Sequence, residues 1–257
     1  MRILPDIPYG ALPHQTRDLA LPDAARAIVV YAHGGGFTKG SRKEATFAHL
    51  VGQLCPLGIA VASVSYCLGG RLDDMDPADR PAIRRMMAAS AAAGLRLNRR
   101  LYGSAFALAL FDLGRAVSAL KCGALAAALT GLPVTLLGMS AGGIAALSLA
   151  HPPKVWAGRL ARPEAVLAVS AAMVQPWRLR SGGPPCVMLH GCIDRIIPAD
   201  DARLAAGVAQ QNGADLQVIV TDTPDHVPQL TRLLRGVAGD RHPDLRLLTD
   251  LVARTLL

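Results

Sequence analysis

Apolar residues gather in short runs rich in Val, Ile and Leu at positions 28–31, 59–66, 134–137, 165–169, 186–189 and 216–221. Runs of this length without a polar face predict strands buried on both sides. Between them, apolar positions recur every three or four residues at 43–55, 108–129, 143–149, 199–211 and 245–256, the spacing of amphipathic helices. Strands alternating with helices predict an α/β chain, a mostly parallel sheet with helices on both faces, in a single domain spanning 1–257.

One connection is abnormally long. From Cys67 to Leu108 the chain runs about forty residues, enough for one or two extra helices and too long for a loop. A helical insertion is therefore expected at 71–106. Within it Ile83, Met86 and Met87 share a helical face, with Arg80, Arg84 and Arg85 among them. That pattern suits a lid over a pocket, and equally a helix packed on the sheet edge. The stretch from Val169 to Cys186, about sixteen residues, is too short for a cap, so any lid falls to 71–106.

Composition removes several classes of function. With 51% hydrophobic and 18% charged residues, the chain is neither disordered, collagen-like nor a coiled coil. Its net charge of +8 comes mostly from arginine. A nucleic-acid binder would concentrate that charge. The nearest approach is Arg80, Arg84, Arg85, Arg96, Arg99 and Arg100, preceded by Asp73, Asp74, Asp76 and Asp79, so no nucleic-acid partner is expected. Five cysteines, odd in number and without CxxC pairing, fit reduced thiols in a cytoplasmic protein. No apolar stretch reads as a signal peptide or a membrane span, and no membrane partner is expected.

The sharpest chemical signal is Gly138-Met139-Ser140-Ala141-Gly142, which follows the run 134–137 and opens a helical stretch. Strand, tight turn and helix are the context of a nucleophile elbow, which holds Ser140 above the carboxyl end of the sheet. A serine hydroxyl needs a base, and the base needs an acid to fix its tautomer. The run 186–189 continues into His190-Gly191-Cys192-Ile193-Asp194, and the run 216–221 into Asp222-Thr223-Pro224-Asp225-His226. Loops at neighbouring strand ends would bring Asp194 and His226 to Ser140. Asp222 and Asp225 compete for the acid's role, though residues so near His226 on one loop rarely point at its ring. His33, His49, His151, His190 and His242 read as turn, surface or supporting residues. His190 with Asp194 is too sparse for a metal site, and none is expected. His33-Gly34-Gly35-Gly36-Phe37, directly after the first run, offers backbone N–H groups of Gly35 and Gly36 which, with that of Ala141, would form an oxyanion hole. Phe37, Met139 and Trp177, with Tyr66 and Met173, are candidates to line a substrate pocket.

HGGGF at 33–37, GMSAG at 138–142, HGCIDRIIP at 190–198 and DHVP at 225–228 together resemble α/β-hydrolases of the carboxylesterase group that carry an HGGG loop. The chain is similar to hormone-sensitive-lipase-like and feruloyl-esterase-like bacterial enzymes. Residues 7–10 and 15–19 resemble the leading strands of that group. A departure follows the second strong run, where Tyr66-Cys67-Leu68-Gly69-Gly70 replaces a common tyrosine-arginine-leucine-alanine-proline stretch. The resemblance implies the α/β-hydrolase fold and a serine hydrolase cleaving carboxylic esters through an acyl-enzyme. No cofactor is required, and the partner is a small-molecule ester of small or medium acyl group. Two other functions fit the scaffold. An arylformamidase-like amidase would also use a His-Gly-Gly loop, though Phe37 stands where those enzymes usually have tryptophan. A silent binding protein generally lacks a triad member, and all three are present.

Overall fold

The computed structural model describes residues 1–122, 129–236 and 243–257. Eight strands form a sheet: β1 (Arg2–Pro8), β2 (Thr16–Leu21), β3 (Ala27–Ala32), β4 (Ile59–Val64), β5 (Val134–Met139), β6 (Ala165–Val169), β7 (Cys186–Gly191) and β8 (Leu216–Thr221). Their spatial order is β1-β2-β4-β3-β5-β6-β7-β8. β1 and β2 pair antiparallel, as do β2 and β4, and the remaining pairs are parallel.

The central strands are apolar on both faces because both are covered. Successive side chains point to opposite sides, so Ile28 and Val30 enter one core and Val29 and Tyr31 the other, all fully buried. Helices α1 (Ala45–Leu54), α6 (Pro228–Arg235) and α7 (Arg246–Arg254) close the Val29 side with Leu50, Leu54, Leu233 and Leu248. Helices α3 (Ser104–Lys121), α4 (Ala141–Ala150) and α5 (Ala199–Asn212) close the other side with Leu110, Leu113, Ile144 and Ala205. This is the α/β-hydrolase fold expected from the alternation of runs.

The differences from expectation have physical causes. Apart from the resemblance at 7–10 and 15–19, no apolar run marked β1 and β2. β1 is an edge strand exposed along most of its length, and β2 buries the polar Arg17 and Asp18 among its apolar residues. Helix α6 was not anticipated, although Pro228 at its first turn and the stripe Leu230, Leu233 and Leu234 are helical signals. The helix expected at 108–129 begins at Ser104, and its tail falls on 123–128, outside the described residues.

Residues 71–106 contain a single turn at Leu72–Asp74, the helix α2 (Arg80–Ala92) and a turn at Arg99–Tyr102 that leads into α3. Ile83 is fully buried, and Met86 and Met87 are half-buried against the same core. Three polar anchors fasten the segment. The Asp79 carboxylate accepts Trp156 Nε1–H at 2.8 Å and a fork from Arg159 at 2.7 and 2.9 Å. Ser90 Oγ donates to the Val174 carbonyl at 2.7 Å. Buried Asp201, in the first turn of α5, accepts the N–H groups of Arg96 and Leu97 at 2.8 and 2.9 Å. The segment thus rests on the connection between α4 and β6, the loop after β6 and the start of α5.

Helix α4 ends at His151, which is 4% exposed and lies 3.8 Å from Cys186 Sγ. Burial, reinforced by the nearby charges of Arg162 and Arg178, pushes this imidazole down to about 4. The unfolded chain takes up the proton near pH 6.5, so stability held above that value is lost as pH falls toward 4. Between pH 7 and 4.5 the protein should lose about 2–3 kcal/mol more than His151→Asn, measured by urea denaturation. Parallel profiles would show that the fold does not hold this imidazole neutral.

Candidate active site

Ser140 sits between β5 and α4 with φ 52° and ψ −116°, a conformation that side-chain-bearing residues rarely adopt. The turn is held by hydrogen bonds on both sides. Ser140 N–H donates to Val169 O at 2.8 Å, and Ile144 N–H donates to Ser140 O at 2.9 Å. Glycine is required on both flanks: a Cβ on Gly138 would lie 2.5 Å from the Gly143 backbone, and one on Gly142 would lie 2.2 Å from Ala32 O. The strand-turn-helix reading of residues 138–142 is a close crossing of backbones.

The three loop ends converge. His226 Nε2 lies 2.7 Å from Ser140 Oγ, in line to accept its proton, and Nδ1–H donates to Asp194 Oδ2 at 2.6 Å. All three residues are buried. The second Asp194 oxygen accepts the N–H groups of Ile196 and Ile197 at 2.8 and 2.9 Å. Burial alone would raise the Asp194 pKa. The hydrogen bonds from His226, Ile197 and Ile196 outweigh it and hold the carboxyl below the usual carboxylate range. Asp194 therefore stays an anion beside the ring that would carry a positive charge. Asp222 and Asp225 are exposed, and His226 Nδ1 turns away from their loop to Asp194.

The glycine loop passes against Ser140, for a Cβ on Gly34 would lie 3.4 Å from Ser140 Cβ. Gly35, Gly36 and Phe37 take φ of 113°, 63° and 61°, and the Gly35 carbonyl accepts N–H groups from Thr38 and Lys39. A Cβ on Gly35 would meet Lys39 O at 2.0 Å, so the turn excludes any other residue. His33 braces it: Nδ1–H donates to Gly34 O at 2.7 Å, and Tyr66, stacked on the imidazole, donates its hydroxyl to His33 O at 2.6 Å. Burial pushes the His33 imidazole pKa down, against the hydrogen bond to Gly34. Ala141 opens α4, where an N–H has no carbonyl one turn back to accept it.

The remaining candidates scatter. Phe37 is fully buried, its ring edge-on to Tyr66 and Phe106, so it packs in the core. Met139 is 7% exposed, its side chain beside Gly34. Trp177 lines a separate cavity with Met86 and Gln175, to which none of Ser140, Asp194 and His226 contributes. His49 bonds Leu234 O, and His242 lies outside the described residues. Two further residues support the line of hydrogen bonds from Asp194 to Ser140. His190, fully buried, donates Nε2–H to Ile197 O at 2.7 Å and stands 3.4 Å from Asp194 Oδ2, and Ser170 Oγ donates to His226 O at 2.7 Å. His190 carried a sequence signal in its place four residues before Asp194, whereas Ser170 carried none.

No family model matches the chain, and no curated protein does. Solved structures do. The propionate-bound form of a thermophilic esterase from the Planctomycetes species Thermogutta terrifontis is similar with a TM-score of 0.65 at 16% identity, covering 99% of this chain and 93% of that one. Esterase 2 of Thermogutta terrifontis phosphonylated by cyclosarin gives 0.65 at 15% identity, over 98% and 90%. A truncated carbohydrate esterase from gut microbiota gives 0.70 at 12% identity, over 100% and 96%. At such identities the likeness is one of fold.

The elbow's crossing can be tested by one methyl group. Gly142→Ala should destabilise the protein by about 3 kcal/mol or abolish soluble expression, because backbone rather than a movable side chain is in the way. Gly52→Ala, in helix α1 with open space around it, should raise stability by about 0.5–1 kcal/mol. Thermal denaturation of both variants checks the contrast, and equal effects would refute it.

Proposed function

We propose that this chain is a serine hydrolase cleaving carboxylic esters of small or medium acyl group through an acyl-enzyme, of the kind that carries an HGGG loop. The observation that carries the reading is the unbroken line of hydrogen bonds from Asp194 through His226 to Ser140. Ser140 Oγ attacks the ester carbonyl as its proton passes to His226 Nε2. The resulting oxyanion is held by the N–H groups of Ala141, Gly35 and Gly36, fixed before the charge develops. Collapse expels the alcohol, which takes the proton from His226 and leaves the acyl group on Ser140. A water molecule then gives its proton to His226 and attacks the acyl carbon, releasing the acid and restoring the serine. Asp194 stays ionised throughout, holding the ring in the tautomer whose Nε2 is free. Support also comes from the neighbours, which are named as esterases, one of them phosphonylated by cyclosarin.

Ser140→Ala should fold and lose about 10⁴-fold or more in kcat on p-nitrophenyl esters, and a fluorophosphonate should label Ser140 alone. Turnover within tenfold of wild type would overturn the assignment. Asp194→Asn should lose about 10²–10⁴-fold, since the ring loses both its orienting partner and the charge stabilising its protonated form. Asp225→Asn, on an exposed carboxylate, should stay within about threefold. The reverse ranking would transfer the acid's role to Asp225.

A further inference from the structure

A cavity of about 630 Å³ lies between the glycine loop and the loop that follows Asp194, lined by neighbours of Ser140 and Asp194 and by neither of these residues themselves. One wall is Gly36 and Thr38, from the glycine loop that passes Ser140. A second is Arg195 and Ile196, immediately after Asp194, with the Ile196 N–H on the Asp194 carboxylate. The insertion supplies the third wall, including Arg96 and Arg100. Three arginines thus line one space, and among the described residues no carboxylate lines it.

Only part of that charge is neutralised. Arg96 pairs with Asp200 at 2.6 Å, whereas Arg100 and Arg195 have no carboxylate partner among the described residues. Two uncompensated charges on a concave wall focus the field into the cavity, and the fork of a guanidinium matches the two oxygens of a carboxylate. The chain's net charge of +8 adds a longer-range attraction for anions. The geometry points to substrates with an anionic end: we propose that Arg100 and Arg195 bind a carboxylate, or a similarly forked oxyanion, carried by the ester a few bonds from its scissile carbonyl. This inference rests on the esterase reading of Ser140.

Two pairs of substrates test it, one for each side of the ester. With the charge on the acid side, p-nitrophenyl hydrogen adipate is compared with its neutral methyl ester. With the charge on the leaving group, 4-acetoxybenzoate is compared with methyl 4-acetoxybenzoate. In at least one pair the anionic ester should have a kcat/KM tenfold or more above its neutral partner. That ratio should fall toward one in 0.5 M salt, and at least fivefold in Arg100→Gln/Arg195→Gln, while Arg84→Gln, on the exposed face of α2, leaves it unchanged. Ratios near one in both pairs, with the neutral esters hydrolysed normally, would overturn the inference and leave the esterase reading standing. Failure of wild type to hydrolyse any of the four would overturn both. The wild-type ratios and their salt dependence decide the matter even if the double variant does not fold.

Discussion

A backbone crossing that admits no β-carbon holds the site together. Where β5 turns into α4, Gly138 lies against Gly143, and Gly142 lies against Ala32 at the end of β3. The contact forces Ser140 into a strained conformation that costs on the order of 1–3 kcal/mol. Helix α4 is buried along its whole length, so the turn has nowhere to relax. The same contact sets the glycine loop beside the serine, because the Gly142 N–H donates to the carbonyl of His33 at 3.1 Å. Ser140 and the glycine loop are thereby one rigid unit.

The Asp194 side of the site is built differently, from charge and hydrogen bonds in place of close-packed backbone. Asp194 is a buried anion kept ionised by N–H groups of its own loop as well as by His226. Five residues beyond it, that loop enters α5, whose buried Asp201 takes the backbone N–H groups of Arg96 and Leu97. Burial raises the Asp201 pKa even against those two bonds. Through this carboxylate the insertion is tied to the element that follows Asp194, and Arg100 and Arg195 line one cavity.

The sequence made the layout legible where one physical signal dominated. Two-sided apolar runs marked the six strands from β3 onward, and glycines flanking a serine marked a turn that only glycine permits. Polar partners far apart in sequence left no such signal. Nothing local ties Asp79 to Trp156 and Arg159, or Ser90 to Val174, so the path of the insertion could not be traced. Aromatic side chains near strand ends, such as Phe37 and Trp177, can face a pocket or the core, and local sequence does not decide between them. Phe37 turned to Tyr66 and Phe106 in the core, and Trp177 to another cavity.

His226 follows β8, a strand paired with β7 alone and half-buried along much of its length. Its partners Ser140 and Asp194 are 86 and 32 residues away in sequence. The hydrogen-bonded line thus closes only after the last strand docks, and edge elements with few neighbours open at lower free energy than a sheet's interior. The line from Asp194 to Ser140 should therefore open on warming before the central strands melt, making it a reporter of the sheet's edge while spectroscopy of the core still reads native.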